Sequence, residues 1–292
     1  MTILALHALT KSFGQQHILN QVDFQIDTPT IMALVAPNGS GKTTLMDIIA
    51  NLGRPDSGTV TVLDRPNTDQ HLYTDLTYMQ GDSTLFMNMT GQDHVDLIQR
   101  SYQLTAARVD QVVTDFGIGQ FLKKKVKTYS LGMKQLLLIT LAVLPAPKLV
   151  MLDEPINGLD PKAVQMLRNV LQALNRQGTT VIFSSHDLNE VDRLTDNVVF
   201  LAHGKLVPIT TLAPTITYTV VLPDAQFLTS QLIPEQIKLI TPTKAIVTLT
   251  PEKMTALQKQ LQGTTHELLD VVATRQGTEA LYFQLFSQNE IH

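Results

Sequence analysis

Short apolar runs alternate with stretches of helical spacing along most of this chain. Val22, Phe24 and Ile26 alternate with polar neighbours, as a half-buried strand does. Ile31–Val35 is a continuous apolar run that stops at Ala36-Pro37-Asn38-Gly39. Helical spacing follows from Thr43, with Leu45, Ile48 and Ile49 on one face. A second run, Leu149–Leu152, stops at Asp153-Glu154-Pro155, and Ala163, Val164, Leu167, Val170, Leu171 and Leu174 then recur at helical spacing. Residues 179–184 and Val198–Ala202 read as further buried strands. Strands that are apolar on both faces, separated by helices, predict an α/β domain with a mainly parallel sheet.

Two regions depart from that pattern. Residues of about 86–145 read as mostly helical, a subdomain inserted into the sheet domain. After about residue 210 the texture changes, with Pro208, Pro214, Pro223 and Pro234 marking turns or a linker. Residues 217–222, 237–240, 245–249 and 268–273 look like strands, and 252–261 and Thr278–Phe286 like helices. The expected organisation is a sheet domain over 1–210 and a small α+β appendage over 211–292.

Composition narrows the function classes. Of 292 residues, 43% are hydrophobic, which supplies a sizeable core and argues against global disorder. The net charge of −4 argues against a chain held on nucleic acid by a general basic field. Zero cysteines exclude a disulfide framework, a zinc knuckle and a thiol nucleophile. Residues 1–10 lack the basic start of a signal peptide. The longest apolar run, 136–144, is interrupted by Thr140 and falls well short of the ~20 residues a bilayer span needs. A membrane role must therefore pass through a partner. His203, His266 and His292 show no metal-ligand spacing. Lys123, Lys124, Lys125 and Lys127 read as solvated surface, with docking of a partner or lipid headgroups as the alternative.

The candidate chemistry lies at the ends of the apolar runs. Asn38, Gly39, Ser40, Gly41, Lys42, Thr43 and Thr44 sit between a strand and a helix, the setting of a P-loop. Backbone N–H groups of such a turn wrap phosphates, and the helix N-terminus adds its positive dipole end. Lys42 supplies a point charge to the outer phosphates, Thr43 a hydroxyl for Mg²⁺, and Thr44 reaches an inner phosphate. Ala36 stands where the usual pattern has Gly. If the position requires φ > 0, alanine is strained there by about 1–2 kcal/mol; otherwise the change is nearly silent. Asp153 can hold the metal, and Glu154 can polarise a water as general base. The pair is also a plausible acidic helix cap. His186, after one strand, can bond a γ-phosphate, and Gln80, after another, can touch Mg²⁺ or the water.

Taken together, these motifs resemble the ATP-binding subunit of an ABC transporter, over roughly residues 1–210. Phe13, in Thr10-Lys11-Ser12-Phe13-Gly14, matches the aromatic residue that stacks on adenine, although core packing is the alternative read from the residues alone. Residues 36–44 match the Walker A loop, Gln80 the Q-loop, Asp153-Glu154 Walker B with its catalytic glutamate, Asn157-Gly158-Leu159-Asp160 the D-loop, and Ser185-His186 the switch histidine. Tyr129-Ser130-Leu131-Gly132-Met133-Lys134-Gln135 matches a variant of the family signature and is similar to that of bacterial exporters of drugs, antimicrobial peptides and lantibiotics. Ser130 and Gly132 keep the hydroxyl and a glycine for an anion site, although Ser130 is also a good plain N-cap. Leu136 stands where those relatives usually carry Arg.

The resemblance implies a P-loop NTPase core, with ATP and Mg²⁺ as ligands. It implies a head-to-tail pair, a homodimer, in which each ATP lies between the Walker A loop of one copy and Ser130 and Gly132 of the other, with Asp160 at the contact. It further implies an integral-membrane permease subunit as partner, no nucleic acid, and a cytoplasmic location on the inner face of the cell membrane. Two rivals remain at this level: an ABC-type ATPase outside transport, and a regulatory nucleotide sensor with weak turnover.

Overall fold

The computed structural model describes residues 1–212, 216–274 and 277–286. The chain forms two compact units, Met1–Val207 and Pro208–His292. His292 lies outside the described residues.

In chain order the first unit holds β1 (Leu4–Phe13), β2 (Gln16–Ile26), β3 (Ile31–Val35), α1 (Lys42–Ile49), β4 (Ser57–Val62), β5 (Arg65–Pro66), α2 (Leu72–Asp75) and β6 (Leu76–Met79). The helices α3 (Gly91–Ser101), α4 (Ala106–Asp115) and α5 (Leu131–Val143) follow. Then come β7 (Leu149–Leu152), α6 (Pro161–Arg176), β8 (Thr180–Ser184), α7 (Leu188–Leu194), β9 (Val198–Ala202) and β10 (Lys205–Pro208).

The main sheet runs β10-β9-β3-β8-β7-β6. The pairs β3–β8, β3–β9, β7–β8 and β6–β7 are parallel. Every residue of β3, β7, β8 and β9 is buried, as in a parallel sheet covered on both faces. Parallel strands bring their C-terminal ends to one edge, so the chain leaves β3, β6, β7 and β8 beside the same crevice. The β9–β10 connection is His203-Gly204, both at positive φ, as a two-residue hairpin turn requires.

A second, antiparallel sheet runs β2-β1-β4-β5. The sequence pattern showed β2 but not β1 or β4. The register of β1 against β2 shifts between Leu6 and Leu9, around Ala8 at φ 45°, so the apolar alternation of Leu4 and Leu6 breaks before Leu9.

The helical segment is built on local signals. Thr90 and Asp93 close a capping box at the start of α3, and Thr105 caps α4. His94 is a buried structural residue: its Nε2 accepts from the Phe86 N–H at 3.0 Å, and its Nδ1 donates to Thr90 O at 2.7 Å. The apolar run 136–144 forms most of α5, a helix packed inside the unit. Among the described residues no helix is long and apolar enough to cross a membrane. Lys123, Lys124, Lys125 and Lys127 are exposed.

The second unit holds α8 (Ile209–Leu212), β11 (Ile216–Val221), β12 (Ile237–Thr241), β13 (Lys244–Leu249), α9 (Pro251–Leu261), β14 (Asp270–Thr274) and α10 (Thr278–Phe286). Its antiparallel sheet runs β12-β13-β11-β14. Tyr218 and Val220 face Val247 and Ala245 across β11 and β13, and their inner side packs with Leu249, Met254, Leu257 and Leu261 into a separate core.

Candidate nucleotide-binding site

The loop after β3 is shaped by two glycines. Gly39 and Gly41 have φ of 76° and 105°. A Cβ on Gly41 would collide with the Ile18 side chain, so this position excludes any other residue. Ala36 is not among the positive-φ residues and is buried. Alanine is unstrained there, and the departure from the usual pattern is silent for the backbone.

Lys42 is 7% exposed and donates from Nζ to Ala36 O at 2.7 Å and Pro37 O at 3.3 Å, spanning the loop. Burial pushes its pKa below the usual lysine value, while the charges of Glu154 and Asp153 hold it up. Asn38, Gly39 and Thr43 are exposed, and Ser40 and Thr44 are half-buried. Ser40 Oγ is itself buried, with no hydrogen-bond partner among the described residues.

The residues after β7 meet this loop. Thr43 Oγ1 donates to Asp153 Oδ2 at 2.8 Å. Ser184, at the end of β8 and fully buried, donates from Oγ to Asp153 Oδ1 at 2.6 Å and accepts from the Glu154 N–H at 2.8 Å. His186 Nδ1 lies 2.8 Å from Glu154 Oε2. An ionised carboxylate only accepts, so Nδ1 carries the proton in that state and Nε2 is left for another partner. Glu154 itself has φ of 50°, a left-handed conformation rare outside glycine. Gln80 donates from Nε2 to Asp47 Oδ1 at 3.0 Å, which ties the end of β6 to α1. Burial, helped by the Asp153 and Asp47 charges, raises the Tyr78 phenol far above its ordinary value, so it stays protonated beside these acids.

The donor set fits Mg²⁺ bound together with phosphate. A hydroxyl and a carboxylate oxygen converge at Thr43 and Asp153, with the Gln80 amide on the neighbouring strand end; all are hard oxygen ligands. Among the described residues no group of three His, Asp or Glu forms a cage of its own.

A second surface lies at the start of α5. Ser130 caps this helix, its Oγ accepting from Met133 N at 3.2 Å, while its hydroxyl proton remains able to donate outward. A Cβ on Gly132 would lie 2.8 Å from Gly158 O, so the helix start rests directly on the loop 157–160. Asp160 caps α6 through Ala163 N at 2.8 Å. Ser130, Gly132 and Asp160 line one open groove with Leu131 and Leu159. Phe13, at the end of β1, is 58% exposed and therefore not a core residue. Lys11 Nζ lies 5.3 Å from its ring centroid.

Three residues of this architecture carry no functional signal of their own in the sequence: Ser184, Asp47 and Gln135. Ser184 sits in an apolar strand and Asp47 in a helix, and only the strand order brings them to Asp153 and Gln80. Gln135 was read only as the last letter of the signature.

A phosphate-type loop between a central parallel strand and a helix, with an acidic pair on the strand two places away, defines a P-loop nucleotide-binding fold. A family model described as ABC transporter matches residues 19–157. The lantibiotic transport ATP-binding protein SrtF of Streptococcus pyogenes is 34% identical over 205 residues, covering 70% of this chain and 89% of that one. The bacitracin transport ATP-binding protein BcrA of Enterococcus faecalis is 31% identical over 212 residues, covering 70% of this chain and 68% of that one. A solved ATP-binding subunit of an ABC transporter superposes with a TM-score of 0.67 at 26% identity, over 72% of this chain and 92% of its own. The chain belongs to the ABC transporter ATP-binding family, whose ATP hydrolysis is coupled to transport.

Proposed function

We propose that the chain binds Mg-ATP on the loop 36–44 and hydrolyses it within a head-to-tail pair of identical chains. The pair powers a separate integral-membrane permease subunit that exports a drug, peptide or similar compound. On this reading the chain sits on the inner face of the cell membrane through that subunit. The observation that carries it is the meeting of Thr43 with Asp153 and of His186 with Glu154 at one sheet edge, each at 2.8 Å.

The backbone N–H groups of Asn38, Gly39, Ser40 and Gly41 and the start of α1 bind the phosphates, and Lys42 and Thr44 add side-chain donors. Thr43, Asp153 and Gln80 are the residues that would hold Mg²⁺, which when bound neutralises charge on the outer phosphates. Phe13 offers an exposed face for the adenine. Glu154 takes the proton of the attacking water. His186 holds Oε2, which leaves Oε1 for that proton, and with both ring nitrogens protonated its Nε2–H donates to the γ-phosphate. From the partner copy, Ser130, Gly132 and the N-terminus of α5 complete the phosphate site, and Asp160 borders it. ATP therefore favours the closed pair, and loss of the γ-phosphate removes those contacts and opens it. The names of SrtF and BcrA, which cite lantibiotic and bacitracin transport, support a peptide-type cargo.

The test compares wild type with Glu154→Gln by size-exclusion chromatography with Mg-ATP. Loss of a general base lowers turnover by about 10²–10⁴-fold while leaving the ATP contacts, so the variant accumulates a nucleotide-bound dimer. Chelation of Mg²⁺ abolishes hydrolysis by the wild type. A folded chain that neither binds nor hydrolyses ATP refutes the proposal. Co-purification from membranes with an integral-membrane subunit tests the export role.

A further inference from the structure

We infer that Gln135 is a positioning residue that ties the signature helix α5 to the general base, so that the helix facing the partner's nucleotide also sets the base of its own chain. This rests on the roles proposed above for Glu154 and Ser130.

Gln135 is a buried amide, 7% exposed, in a helix whose other buried residues are aliphatic except Thr140, and Thr140 bonds back to the Leu136 carbonyl of its own helix. A buried amide needs a partner, and Gln135 has a specific one: Nε2 donates to the backbone carbonyl of Glu154 at 2.9 Å. Glu154 is the residue at φ 50°. A non-glycine backbone held in the left-handed region persists only when its surroundings over-determine it. Here the Glu154 N–H is held by Ser184 Oγ from β8 at 2.8 Å, and its carbonyl also accepts from the Asn157 N–H at 3.2 Å. Its carboxylate is held by His186. Of these restraints only the Gln135 bond comes from the helical segment.

The geometry makes this bond a mechanical link. Ser130 and Gln135 lie on one rigid helix, five residues or about 7.5 Å apart along its axis. A shift of the helix start on binding the partner's phosphates is carried to the Glu154 carbonyl, and a shift in that peptide re-aims the carboxylate. Each catalytic base thereby reads the occupancy of the opposite site.

The experiment uses the full chain as wild type, Gln135→Leu, Gln135→Glu, Glu154→Gln and the double variant Gln135→Leu/Glu154→Gln. Affinity is read by ATP displacement of a trinitrophenyl-ATP probe, turnover by phosphate release, and folding by thermal unfolding. Gln135→Leu is expected to keep ATP affinity within about twofold while kcat falls at least about tenfold, because small misplacements of a reacting group cost that much. The double variant is expected to be no slower than Glu154→Gln alone, since Gln135 acts through Glu154. Gln135→Glu keeps the shape but removes the donor, and gives the same kcat loss if Gln135→Leu fails to fold.

A kcat within twofold of wild type in either folded variant overturns the inference. So does a loss that tracks an equal loss of ATP affinity, or one that adds to that of Glu154→Gln. A wild type that does not hydrolyse ATP overturns the proposed function itself, a distinguishable result.

Discussion

Replacing Ser184 with alanine tests the joint between the acidic pair and the sheet. Its hydroxyl donates to Asp153 Oδ1 at 2.6 Å and accepts from the Glu154 N–H at 2.8 Å, and the residue is fully buried. The first bond is charge-assisted and short, worth about 1.5–3 kcal/mol. Its loss also leaves the Glu154 N–H without this acceptor, at about 1–3 kcal/mol. The two terms overlap because one hydroxyl serves both, so the expected destabilisation is about 3 kcal/mol. For a unit of this size, at ~3 °C per kcal/mol, that lowers the melting temperature by about 9 °C. The assay is calorimetry of the full chain, reading the transition of the larger unit because two units need not melt together. Phosphate release measured below the transition is expected to fall about 10²-fold, because Asp153 and Glu154 both lose their anchor. A melting shift under about 2 °C together with unchanged turnover refutes the reasoning.

Three further outcomes follow. Gly41→Ala sets a Cβ against Ile18 at φ 105° and is expected to weaken ATP binding at least about tenfold, whereas Ala36→Gly leaves binding within twofold and costs at most about 1 kcal/mol of stability; calorimetric titration separates them. Thr180 Oγ1 is buried without a hydrogen-bond partner among the described residues, so the isosteric Thr180→Val is expected to stabilise the chain by about 1 kcal/mol in urea unfolding. The Asp56 carboxyl is held below its ordinary 3.8 by hydrogen bonds from the Lys11 side chain and the Ser12 N–H. A depressed acid contributes stability above its ordinary pKa and loses it as pH falls through the folded value, so in Lys11→Met an NMR titration is expected to show the Asp56 pKa rising towards 3.8.

Much of the site was legible because its parts are contiguous. The glycines of 39–41 with Lys42 and Thr43, and the pair Asp153-Glu154, each follow an unbroken apolar run, and both runs became strands ending at one edge. The β1–β4 pairing was not legible, because the bulge around Ala8 breaks the alternation that marks a strand. The signature serine carried two readings, cap and anion donor, and the structure realises the cap at 3.2 Å without using the hydroxyl proton. Phe13 also carried two readings, and its exposure removes the core one.

The sequence by itself determined what local chemistry and periodicity can encode: a phosphate-type loop at the end of a buried strand, an acidic pair at the end of another, a helix cap at Ser130, and a change of texture near residue 210. The tertiary structure alone decided which distant groups complete them. Strand order β3-β8-β7 inserts Ser184 between the loop and the acids, and helix packing aims Gln135 at the carbonyl of Glu154. The physical reason is that a motif specifies donors and acceptors along one segment. A buried polar group must find its partner in space, and only the folded sheet fixes which residue that is.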